Sequence, residues 1–165
     1  MLLGAPFAAV VICSATSGLA QEPMHAGEAA SEQVKRANEA FHRAWSDRDL
    51  WAMGQVWAKE GHVTAIHPAH PVPFLGWESV RDSWKQTFAR DPDAVVHRHG
   101  GTRHVAGPVA WVTDSTMLTG VPAQGGHPIP YGILSTKIFE KREGEWLLVH
   151  YHAHRTAPAA QATHH

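Results

Sequence analysis

Apolar residues recur at helical spacing in the first half of this chain and at alternate positions in the second. Val34, Ala37, Phe41 and Ala44/Trp45 form one stripe, and Ser31 ahead of it reads as an N-cap. Ser46-Asp47-Arg48-Asp49 interrupts the stripe. Asp49 is placed to cap a second helix, with Leu50, Met53 and Trp57 on its inner face and Gly61 at its end. Gly76 opens a third, along which Trp77, Val80, Trp84 and Phe88 align. The pattern thus predicts helices near 31–46, 49–60 and 76–89. A short strand, His62 to His67, comes before the third helix, and Pro68, Pro71 and Pro73 hold the loop after it out of helix. Four strands then follow at about Val95 to Val105, Val109 to Gly120, Tyr131 to Lys141 and Trp146 to His154. Glu143-Gly144 makes a tight turn between the last two, and Pro122 to Pro130, with Gly125-Gly126, a looser connection. Helices first and strands afterwards imply an α+β domain: three N-terminal helices packed on a strongly curved, mainly antiparallel sheet, curled into a cone-shaped barrel.

The last strand carries histidine at every second position. Alternation puts Trp146, Leu148, His150, His152 and His154 on one face and Leu147, Val149, Tyr151 and Ala153 on the other. A Trp-Leu stripe belongs in a core, so His150 and His152 are expected to face the cavity beside His67 and Tyr131.

Composition changes the picture in three ways. The 165 residues suit one domain, and their seven tryptophans supply large buried area. Lys+Arg (14) and Asp+Glu (15) nearly cancel, so no basic surface argues for nucleic acid or an anionic membrane. Histidine is abundant, at fourteen, with His164 and His165 ending the chain. Residues 1–20 read as a secretory signal: Phe7 to Ile12 is apolar but too short to span a bilayer, and Gly18-Leu19-Ala20 offers small residues for cleavage. No side-chain charge precedes it. The only cysteine, Cys13, lies inside this segment, so cleavage would remove thiol chemistry altogether. Periplasmic or secreted localisation is expected, with no membrane attachment after cleavage. Residues 21–30 read as a flexible leader, 31–155 as the domain, and 156–165 as a disordered tail.

Ala40-Phe41-His42-Arg43-Ala44-Trp45, Asp47-Arg48-Asp49-Leu50, Trp57-Ala58, His67-Pro68, Gly76-Trp77-Glu78-Ser79-Val80 and Trp84 together resemble the front half of a SnoaL-like domain of the nuclear transport factor 2-like superfamily. Phe139 through His152 resembles that family's closing hairpin and also the association domain of calcium/calmodulin-dependent kinase II. The resemblance covers about Ser31 to Arg155. It implies a cone with a pocket between helices and sheet, and a homodimer through the outer sheet face. It does not imply a reaction, because members include ketosteroid isomerases, polyketide cyclases, dehydratases and association or carrier modules. Two departures stand out. His154 occupies a position where the family strand commonly has Ser, and the catalytic carboxylate of the isomerase and cyclase members has no clear counterpart.

Three readings follow. In the first, the pocket binds a small apolar or amphipathic molecule, with His67, His150, His152 and Asp114 as acid/base groups and Tyr131, Trp84, Trp57 and Tyr151 as ligand contacts. Asp114 interrupts a weakly polar strand; a buried carboxylate there would be a base, an edge or interface one merely solvated. In the second, His67, His150, His152 and His154 hold Zn²⁺ or Cu²⁺. Three consecutive alternating residues span roughly 13 Å, so a real site would combine two of the strand histidines with His67, His97 or His99. In the third, the domain is a non-catalytic dimeric association module with a filled cavity.

Overall fold

The structure, a computed structural model, describes residues 22–68, 70–90, 92–120 and 130–156. The apolar segment with Cys13, the Gly125-Gly126 connection and the tail beyond Thr156 lie outside them.

Helix α1 spans Glu22–Asp47. It starts well before Ser31, which therefore lies within the helix and is not its cap. Ala26, Ala29 and Ala30 are strong helix formers, so the segment read as a leader has the propensity to extend the helix backwards. The buried stripe of α1 holds Val34, Phe41, Ala44 and Trp45, and with them the polar Asn38 and His42. Helix α2, Leu50–Val56, is capped by Asp49, whose side chain accepts from Ala52 N at 2.9 Å. It is shorter than the pattern predicts. Trp57 turns extended and bridges to Leu148, and Ala58 N donates to Leu148 O at 3.0 Å, so the sheet takes the backbone that the helix would need. Two short strands, β1 (Thr64–Ile66) and β2 (Phe74–Leu75), precede α3 (Trp77–Arg90).

The long strands are β3 (Val95–Ala106), β4 (Val109–Thr119), β5 (Tyr131–Arg142) and β6 (Glu145–Thr156). They complete one six-stranded sheet in the order β2-β1-β6-β5-β4-β3. The β1–β6 pair is parallel and the rest are antiparallel. The sheet curls around the helices but stays open, with β2 and β3 at its edges. Between β5 and β6, Glu143 and Gly144 both adopt positive φ (50° and 91°), the hairpin turn whose twist matches the strands. Trp57, Trp84, Phe41, Phe139, Met53 and Leu148 fill the core between helices and sheet. Among the described residues no helix is long and apolar enough to cross a membrane.

One irregularity reverses an expectation. Ile138 pairs with His150, but the next residue, Phe139, pairs with Leu148, so Val149 is an extra residue in β6. A bulge of this kind shifts every later side chain to the opposite face. Trp146 and Leu148 point inward as expected; beyond the bulge it is Val149, Tyr151 and Ala153 that are buried. His150, His152 and His154 turn to the outer face: His150 half-buried, the other two exposed.

Candidate functional site

Asp114 lies on the inner face of β4, where β3, β5 and α1 close over it. β3 comes unusually near. A Cβ on Gly101 would fall 2.3 Å from Thr113 O and 2.5 Å from Asp114 Cβ, so only glycine fits this register. The Asp114 carboxylate accepts from Lys137 Nζ at 2.7 and 2.9 Å, from Ser135 Oγ at 2.7 Å, from His42 Nε2 at 2.9 Å and from Asn38 Nδ2 at 3.1 Å. Asp114 and Lys137 are 2% and 0% exposed, which makes this an ion pair within the core. Burial alone would raise the Asp114 pKa. The His42 hydrogen bond and the Lys137 charge outweigh it and hold the carboxyl well below its usual range. Burial likewise pushes Lys137 down to about 8, against the pull of Asp114. Desolvation also lowers His42, despite its bond to the carboxylate. Neutral His42 therefore donates through Nε2–H, leaving Nδ1 as a buried acceptor without a partner among the described residues.

A second polar group stands at the other end of the core. His67 follows β1, is buried, and meets Ser83 Oγ at 2.9 Å through Nε2. Ser83 donates its own proton to Val80 O at 2.6 Å. The Ser83 oxygen must then accept, so His67 is the neutral Nε2–H tautomer. Burial, reinforced by the charges of His70 and Arg90, lowers its pKa to about 3. His67 lines a small cavity with Trp84, Tyr131, Tyr151, Arg90 and Arg155. The cavity volume is about 20 Å³, room for about one water. Its walls are aromatic: the Trp84 ring lies 4.7 Å from His67 and 5.4 Å from Tyr151. Arg155 covers the Tyr131 ring at 4.3 Å. Phe41 links the two polar groups, with Lys137 Nζ 4.8 Å from its centroid and the Trp84 and Tyr151 rings at 5.3 and 5.5 Å.

The structure thus brings His67, Trp84, Tyr131 and Tyr151 together around one small cavity. Trp57 is buried elsewhere in the core. Asp114 is inside, but it serves the Lys137 cluster and does not line the cavity. His150 and His152 are absent from the cavity; the expected His67 and Tyr131 neighbours are replaced by Thr64, whose Oγ1 lies 2.6 Å from His150 Nδ1. His67 and the three strand histidines therefore cannot meet at one ion. Among the described residues no three His, Cys, Asp or Glu side chains converge as a metal site. Sequence reasoning missed Lys137, Asn38, His42 and the arginines. For Lys137 a signal existed: a lysine at an inward position of an apolar strand needs a buried anion, and Asp114 is the inward acid one strand away. A wider concavity, about 660 Å³, is an open groove between α1, α2 and the β5–β6 turn, lined by Arg36, Arg43, Trp51 and Leu147 and by none of these groups.

With helices over one face of a curled sheet and a small cavity at one end, the chain belongs to the SnoaL-like domain family, whose sequence profile matches residues 34–157. The F-box protein SKIP8 of Arabidopsis thaliana is 29% identical over 125 residues, 76% of this chain, which spans about half (50%) of that protein's length. A dehydratase-like protein of the NTF2-like family from Streptomyces avermitilis superposes with a TM-score of 0.71 at 22% identity, covering 80% of this chain and 99% of its own. The association domain of calcium/calmodulin-dependent kinase II from C. elegans gives 0.62 at 17% identity, covering 78% and 98%. At these identities the two structures speak for the fold alone.

Proposed function

We propose that the end cavity binds a small amphipathic carboxylate and does not turn it over. The observation that carries this reading is the meeting of aromatic walls with Arg90 and Arg155 in one place. A ring or short alkyl group suits Trp84 and Tyr151, and a carboxylate suits a guanidinium. Arg155 is exposed and rests on Tyr131; the proposal requires it to swing aside, because the closed cavity has room for only about one water. Catalysis is disfavoured on chemical grounds. A His67 that protonates only near pH 3 is a weak base, and its Nε2–H is already committed to Ser83. The Asp114 carboxylate is a weak base as well, saturated by four side chains. Titration with 4-phenylbutyrate and with its neutral amide, followed by tryptophan fluorescence, tests the proposal. The acid should bind about 10-fold or more tightly than the amide, the worth of one charge-assisted hydrogen bond. Arg155→Ala should remove the difference, and NMR should recover the acid unchanged. Equal affinity, or no binding of either, would overturn the reading; conversion of a carboxylate would overturn its non-catalytic part.

A second copy of the chain is the partner proposed for the outer sheet face. That face presents Trp111 and Leu134, 41% and 44% exposed, around the half-buried Ile138 and Met117. Such residues clustered on one face of a sheet mark an association surface.

A further inference from the structure

The bulge at Val149 sends His150, His152 and His154 to the outer face, where the cavity does not use them. Across the sheet His150 stands between Thr64 and Ile138, and His152 between Ile66 and Thr136; His154 lies beside Leu134. None of these neighbours is cationic. The His150 and His152 ring centroids are 6.4 Å apart. Two imidazoles sharing one tetrahedral ion at Zn–N distances of about 2.0–2.1 Å have centroids roughly 5 Å apart. Exposed His152 needs only a modest side-chain rotation to close that gap. His150 is already oriented: Thr64 Oγ1 at 2.6 Å from Nδ1 can accept the Nδ1 proton, which leaves the Nε2 lone pair free. Metal-binding histidines are held in this way, the second ring nitrogen donating to a fixed oxygen that sets tautomer and direction.

We propose that His150 and His152 form a two-histidine chelate for a late first-row divalent ion, Cu²⁺ or Zn²⁺, with Thr64 as the positioning residue and water completing the coordination. His154 stands two residues further along and has no counterpart of Thr64. The ligand set excludes His67, which is buried and bonded to Ser83. Imidazole nitrogen suits these ions, and Cu²⁺ binds such donors most tightly.

The test uses the full chain, purified without metal-affinity resin and titrated with Cu²⁺ alone by calorimetry and EPR. One site is expected, with two imidazole nitrogens in its EPR signature. His150→Ala and His152→Ala should each abolish it. Thr64→Val should weaken it about 10-fold, the low end of the effect of losing an outer-shell partner. His97→Ala and the His164→Ala/His165→Ala variant should leave it intact. Circular dichroism checks that each variant keeps its fold. Copper binding that survives His150→Ala, or that disappears with the terminal pair, overturns the assignment. So does failure of Cu²⁺ to bind because a second copy covers the face. Binding of 4-phenylbutyrate should be unchanged in the His150 and His152 variants, so the cavity reading and the chelate stand or fall separately.

Discussion

Lys137 and Asp114 show how a single charge constrains this core. Each is tolerable only because the other is within 2.7 Å and the remaining lone pairs are filled by Ser135, His42 and Asn38. Lys137→Met should destabilise the domain by about 3–5 kcal/mol, because it leaves a buried carboxylate uncompensated. Adding Asp114→Leu to it should recover most of the loss, as read from urea midpoints of the two single variants and the double. If the double variant is as unstable as the sum of the singles, the pair is not coupled as described. His67 makes a separate prediction. The unfolded imidazole takes a proton near pH 6.5, the folded one only near 3. Between those values the unfolded state binds more protons, so stability falls as pH drops from about 6.5 toward 3, by up to about 1.4 kcal/mol per unit. His42, also lowered by burial, adds a slope of the same sign. Urea denaturation across this range should show the slope reduced, not abolished, in His67→Phe; an unchanged slope would refute a neutral buried His67.

At the scale of elements, two backbone devices govern the site. The first is the close approach of β3 to β4 at Gly101. Gly101→Ala must push Thr113 and Asp114 away and should cost about 1–3 kcal/mol, the usual range for overpacking. Gly61→Ala, which meets nothing within 4 Å, serves as the control and should be near neutral in thermal melts. Comparable losses in both would mean that the strand contact is looser than described. The second device is the extra residue at Val149. It lets one strand give Trp146 and Leu148 to the core and still present three histidines outside. Alternation was legible from Trp146 to His154, but nothing in the residues of β6 itself marks the bulge. It follows from fitting β6 against β5, β1 and Trp57 at once.

For the molecule as a whole, the proposed self-association concerns the outer sheet face. A self-complementary contact there would be isologous, each copy offering Trp111 to the other. Trp111→Glu should turn a dimer into a monomer in sedimentation equilibrium without moving the affinity for 4-phenylbutyrate, since the cavity opens on the other side of the sheet. A wild-type chain that is already monomeric at tens of micromolar would remove this face as an interface.

What the sequence by itself determined is the architecture. Helical stripes ahead of alternating strands, a Glu-Gly turn and the order of the family fragments specify three helices on a curled antiparallel sheet, because periodicity and turn chemistry are local. His67, Trp84 and Tyr131 were legible as pocket candidates for the same reason, but strict alternation put Tyr151 on the face opposite Trp146 and Leu148, and only the bulge turns it inward. Tertiary structure alone decided the rest. It chose the face of His150 and His152 through one inserted residue, and it ended α2 early by drawing Trp57 into the sheet. It also turned Asp114 from a would-be base into half of an ion pair. Each of these depends on distances between segments far apart in the chain, and pairing of that kind leaves no periodic trace in the sequence.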